Sequence, residues 1–144
     1  LKEFNQNLNI ICLEQTAKTA QDAATALGCS VGAIVKSLLF KASDTFLLCL
    51  VSGNKKCSLN KLKKITEIKD ISMAPPDDVK RITGYTIGGV SPVGHLEKLN
   101  IYLDGTLEQF KDIYAAAGHP NCVFKISFND LHKMTNSKIA DITE

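Results

Sequence analysis

Short apolar runs and amphipathic stretches take turns along this chain. "NIICLE" (9 to 14) is a brief apolar run and reads as a strand. In "TAQDAATALG" (19 to 28), Ala20, Ala23, Ala24 and Leu27 recur at helical spacing. Thr19 can cap that helix, Asp22 stands at the capping-box position and Gly28 stops it. Its small residues imply close packing against a neighbour. Two longer apolar runs follow, "SVGAIVKSLLFK" (30 to 41), opened by a capping serine, and "TFLLCLVSG" (45 to 53). The turn-like "ASD" between them predicts an antiparallel hairpin.

"SLNKLKKI" (58 to 65) predicts a short basic helix. "MAPPDDVKRITG" (73 to 84) predicts a better one, with prolines at its start, aspartates in the first turn, basic residues later and Gly84 at the stop. "NIYLD" (100 to 104) reads as a strand and "GTLEQFKDIYAAAG" (105 to 118) as an amphipathic helix. Leu107, Phe110, Tyr114 and Ala117 line its apolar face and Gly118 closes it. "CVFKIS" (122 to 127) reads as a strand, "NDLHKM" (129 to 134) as a short helix capped by Asn129, and "KIADIT" (138 to 143) as a last strand. The order lacks the even βαβα alternation of a doubly wound sheet. The expected class is α+β: one domain over residues 1 to 144, with helices packed around one curved mixed sheet.

Composition narrows the function classes. The length, 144 residues, is that of one domain with a real core. No run of eighteen apolar residues is present, which excludes a membrane-spanning helix. "LKEFNQNLNI" does not have the form of a secretory leader, so a cytoplasmic protein is expected. The five cysteines are an odd, scattered set without a CxxC, a poor disulfide framework; Cys12 and Cys49 read as small core hydrophobes. The three histidines add no metal-ligand spacing, so neither a metal nor a cofactor is expected. A net charge of +2 is too small for a protein that coats duplex DNA. The basic stretch "NKKCSLNKLKK" (54 to 64) is either a solvated helix face or a contact for a short single-stranded end.

A few positions can carry chemistry. Lys36 interrupts "AIVKSLLF" and shares a strand face with Ile34, Leu38 and Phe40. Its ammonium either snorkels to water or stands as a fixed charge at a pocket mouth, suited to a phosphate or carboxylate. The stretch "TGYTIGGVSPVGH" (83 to 95) is rich in glycine and poor in reactive groups. Gly88, Gly89 and Gly94 permit close backbone approach to a ligand, and Pro92 holds Ser91 extended. Such a loop can offer backbone N–H groups, or it can be a strand corner. His95 follows Gly94 and could touch a ligand; Asp104 could be a turn or cap residue; His119 lies in the shape-defining "AGHP". Neither a Ser–His–Asp nor a Cys–His set can be assembled from spacing.

Three segments in register, "TAQDAATALGCSVGAIVKSLLF", "MAPPDDVKRITGYTIGGVSPVGH" and "IYLDGTLEQFKDIYAAAGHP", resemble the YbaK/EbsC family. These are trans-acting relatives of the editing domain inserted in bacterial prolyl-tRNA synthetase. The resemblance runs over about residues 9 to 143. It implies a barrel-like mixed sheet and hydrolysis of the ester of a mischarged aminoacyl-tRNA, typically alanine or cysteine on tRNA for proline. It also implies a site. Lys36 matches the family's strand lysine, Gly88, Gly89, Val90, Ser91 and Pro92 match its GxxxP loop, Asp104 matches the aspartate of the following strand, and Gly118 matches the glycine after the long helix. On that reading Lys36 anchors the substrate, the 88 to 92 loop polarises the ester carbonyl, and Gly94 and His95 adjoin it. The implied partners are the acceptor 3′ end of aminoacyl-tRNA and prolyl-tRNA synthetase, with no membrane and no duplex DNA. The alternative is a non-catalytic module binding tRNA, a synthetase or a nucleotide.

Overall fold

A computed structural model describes residues 9–12, 20–86, 90–96, 99–119 and 122–144. The predicted hairpin forms the centre. β2 (Val35–Ala42) and β3 (Thr45–Ser52) pair antiparallel, with Lys36 opposite Val51 and Ser37 opposite Leu50. β4 (Ile71–Met73) adds to β2, and β5 (Asn100–Asp104) and β8 (Lys138–Ala140) extend the other side in parallel. The order of this five-stranded sheet is β4-β2-β3-β5-β8. A second sheet, β1-β7-β6, is built from β1 (Asn9–Cys12), β7 (Cys122–Ile126) and β6 (Ile113–His119), all antiparallel. Among the described residues, a parallel bridge from Ile34 to Tyr114 ties the two. The α+β class stands, but among the described residues the one curved sheet expected is two, and they do not close into a barrel.

The alternation of β3 explains the layering. Leu48 and Leu50 face a core shared with Phe124 and Ile126 of the small sheet. Val79 and Ile82 of α3 (Pro76–Thr83) and Leu131 of α4 (Phe128–Thr135) complete it. Leu47, Cys49 and Val51 face the opposite way, onto Leu62 of α2 (Leu59–Thr66). A strand buried on both faces reads as a continuous apolar run, as "FLLCLV" does. The third cluster is small: Ala23 and Ala24 of α1 (Ala20–Leu27) against Ile34. The alanines permit this close contact.

Three expectations fail locally. Residues 105 to 118 do not form a helix. Gly105–Gln109 makes a short 3₁₀ turn, capped by Asp104, and the chain then runs extended as β6. There Ile113 and Ala115 are buried opposite Ile126 and Phe124, a period of two. Alanine's helix preference is worth only tenths of a kcal/mol per residue, and pairing with β7 overrides it. The cap of α4 is Ser127, which accepts from Asp130 N at 3.2 Å, rather than Asn129. Cys12 is exposed and joined to Cys122 in a disulfide, its Cα 4.1 Å from its partner's, so it is no core hydrophobe. Cys49 is buried as expected. β4 was not anticipated; three residues are too short a run to show alternation.

Candidate active site

Between the Ile34–Tyr114 bridge and the Phe40–Met73 pair, β2 has no strand partner on its outer side among the described residues. A cavity of about 710 Å³ fills that gap. β2 supplies Lys36, Ser37 and Leu39 to its wall, and α1 supplies Ala20 and Gln21. The corner after β3 supplies Gly53 and Asn54. Met73, Ala74, Val79 and Val90 form an apolar side, and Tyr114, Ala116 and Cys122 of the small sheet complete the lining.

Lys36 and Ser37 are neighbours on a strand and therefore point to opposite faces. The Lys36 ammonium turns toward the loop after β3 and donates to the Lys55 carbonyl at 2.6 Å. Burial draws its pKa down; Cys57 opposes this and Lys56 adds to it. An ammonium has three N–H groups, so two remain for a ligand after the bond to Lys55. Cys57 itself is pulled down chiefly by a hydrogen bond from the Cys49 thiol, which is pushed up correspondingly.

The β3 corner is held from below. Asp104 is fully buried, and its carboxylate accepts from Ser52 N (3.3 Å), Thr106 N (3.0 Å) and Thr106 Oγ1 (2.7 Å). Ser52 Oγ donates to the Gly32 carbonyl at 2.6 Å, with Asn54 Oδ1 2.9 Å away. Gly53 has no room for a side chain: a Cβ there would lie 2.9 Å from Ala20 Cβ and 3.1 Å from the Ile34 carbonyl. Asp104 thus shapes the cavity wall without lining it.

Of the 83 to 95 loop, Gly88 and Gly89 lie outside the described residues. Val90 is buried and reaches the cavity. Ser91, Pro92 and Val93 are buried behind it. Two side chains fasten this segment. His95 Nε2 donates to the Ser91 carbonyl at 2.6 Å, and Tyr85 donates its hydroxyl to the Val93 carbonyl at 2.9 Å. A carbonyl can only accept, which puts the neutral ring's proton on Nε2. Burial lowers the His95 pKa, with the Ser91 carbonyl opposing. Gly94 and Gly118, both at positive φ, flank Tyr85: a Cβ on Gly94 would be 2.7 Å from the Tyr85 hydroxyl oxygen, and one on Gly118 3.1 Å from the ring.

The structure therefore brings Lys36 and Val90 to one cavity. It places Ser91, Pro92, Gly94, His95, Asp104 and Gly118 around it as support rather than in its lining. Sequence reasoning passed over Ser37, the Gly53–Asn54 corner and Tyr85. The "SGN" at the end of the hairpin was the available signal for the corner.

The model of the aminoacyl-tRNA editing domain matches residues 14–134. A crystal structure of a candidate trans-editing enzyme for prolyl-tRNA synthetase superposes with a TM-score of 0.95 at 36% identity, covering 100% of this chain and 92% of that one. EbsC of Enterococcus faecalis, a candidate Cys-tRNA(Pro)/Cys-tRNA(Cys) deacylase, is 29% identical over 87% of this chain and 77% of its own. The proline–tRNA ligase of Caldicellulosiruptor bescii is 26% identical over 88% of this chain, which spans only 22% of that ligase.

Proposed function

Because the chain belongs to the aminoacyl-tRNA editing domain family, we propose that it hydrolyses the ester of a mischarged aminoacyl-tRNA in trans. The observation that carries this is the joining of Lys36 and the Val90 loop in one mostly apolar cavity beside the outer edge of β2. An aminoacyl ester is already activated, so a site that binds it and places a water on its carbonyl needs no strong nucleophile. Lys36, steadied by the Lys55 carbonyl, anchors the 3′-terminal phosphate or the aminoacyl group with its two remaining N–H groups. The 88 to 92 loop, which reaches the cavity at Val90, polarises the carbonyl through backbone N–H, and the substrate's own 2′-OH orients the water. Met73, Val79 and Val90 limit the size of the amino acid. Only the acceptor 3′ end need enter a cavity of this size. A net charge of +2 gives weak tRNA affinity, which prolyl-tRNA synthetase would supplement as partner.

Deacylation of tRNA for proline charged with alanine, cysteine, serine or proline tests the reading. Release of a small amino acid with the proline ester spared is expected. No release of any of them by the folded protein would move the assignment to a binding module. Lys36→Ala should lower kcat/KM about 10- to 100-fold, the worth of a charge-assisted hydrogen bond, and leave the fold intact. A pH–rate profile separates anchor from base: an anchoring ammonium loses activity as pH rises through its pKa, whereas a basic amine gains it.

A further inference from the structure

The Cys12–Cys122 disulfide stands at the wall of the cavity and outside the buried core. It closes the last pair of the β1–β7 ladder, and Cys122 is a lining residue. The next residue, Val123, also lines the cavity and lies between Ile11 of β1 and Ala116 of β6. β7 is thus the middle strand of this wall, and β1 is one of its two supports. β1 has little hold of its own. Ile10 is exposed, Ile11 is half-buried, and neither joins a core cluster of the described residues. Four residues in one ladder form a weak attachment, so the disulfide is the main tie. Cys12 is an exposed residue and offers its end of the bond to an attacking thiol.

That placement fits a bond that opens and closes. On the editing reading the substrate is an aminoacyl-tRNA, which is made and used where thiols are held reduced. Disulfides there are as a rule transient and redox-sensing, and exposed ones are the more easily reduced. We propose that Cys12–Cys122 is a redox latch on the cavity: closed, it holds β1 against β7 and fixes the wall, and opened, it frees β1, loosens the wall and lowers deacylation. The proposal rests on the editing reading above. The reductant is a dithiol or a pair of small thiols such as glutathione. A reductant thiolate attacks Cys12 Sγ, the S–S bond breaks, and Cys122 leaves as a thiolate that takes a proton from solvent. A second reductant thiolate attacks the reductant sulfur of the mixed disulfide, and Cys12 leaves in turn and is protonated. The protein gains two electrons and two protons, and the two reductant thiols lose them to become a disulfide.

The test holds the full chain in glutathione buffers from oxidising to reducing. Alkylation and mass spectrometry read the state of Cys12 and Cys122, and hydrolysis of alanyl-, cysteinyl- and seryl-tRNA for proline is followed alongside. Opening should occur within the cytosolic range of glutathione poise. In the reduced protein kcat/KM should fall about 3- to 30-fold, as for a displaced site wall, and recover on reoxidation. Hydrogen exchange at residues 10 to 12 should rise, and the melting temperature should fall by about 5–15 °C, because a loop of 110 residues is no longer closed. Cys12→Ser should match the reduced protein in every buffer and ignore the reductant. A bond that stays closed throughout, or one that opens with deacylation unchanged, would overturn the latch and leave the editing reading in place. So would exchange that rises along the whole chain rather than at β1, the mark of a structural staple. Failure of the folded protein on every ester at every poise would overturn both.

Discussion

Replacing Asp104 by asparagine isolates the support beneath the cavity from the chemistry within it. The carboxylate accepts three hydrogen bonds and is fully buried. Asparagine keeps the shape and one oxygen. That oxygen can retain Thr106 N, and the Thr106 hydroxyl can rotate to accept from the new amide. Ser52 N–H then faces an NH₂ group and has no acceptor. One buried N–H left unpaired costs about 1–3 kcal/mol, and the loss of charge assistance from the other two bonds adds about 1 kcal/mol. A total of about 2–4 kcal/mol should lower the melting temperature by about 6–14 °C in a domain of this length. Asp104→Ala, which orphans all three donors, should cost more. Thermal and urea unfolding read both variants. An Asp104→Asn protein that melts within a degree of the wild type would refute the clamp. Unchanged melting with abolished deacylation would instead place Asp104 among the groups that touch substrate.

Three further predictions follow from the same neighbourhood. Gly53→Ala drives a Cβ against Ala20 and the Val31 and Ile34 carbonyls, so it should destabilise by about 2–4 kcal/mol, read as a lowered urea midpoint. His95 has a folded pKa below its unfolded one, so the folded protein binds fewer protons. Stability should fall as pH drops through the unfolded value of about 6.5 and level off below the folded value. His95→Gln should flatten that slope in urea midpoints taken between about pH 5 and 8. Alkylation of the unreduced, denatured protein should label Cys29, Cys49 and Cys57 only, and prior reduction should add Cys12 and Cys122, read by mass spectrometry. Labelling of all five without reduction would refute the disulfide.

Much of the scaffold was legible because it rests on local period. The β2–β3 hairpin, the helices of 59–66 and 76–83, and the strands at 100–104 and 122–126 carry their own alternation, caps and stops, and each lies within a few residues of its expected place. Resemblance singled out Lys36 and the GGVSP loop from residue type and order, and the fold brings Lys36 and Val90 to one cavity. β6 was not. "IYAAAG" fits a helix face and a strand face about equally, and only Phe124 and Ile126 across the ladder decide between them. The disulfide needed residues separated by 110 positions to meet on paired strands, and no spacing rule announces that. Asp104 reads as a cap from sequence and is one, but its hold on Ser52, 52 residues away, belongs to the parallel pairing of β3 with β5. Ser37 is the sharpest case. Beside a conspicuous lysine it is an unremarkable serine, and only the fold leaves its hydroxyl buried with nothing to bond. The sequence determined which segments would be helix or strand wherever a segment's own side chains outvote its surroundings. The tertiary structure alone decided which groups lost water and which found partners, because solvation is a property of the packed neighbourhood and not of the chain's order.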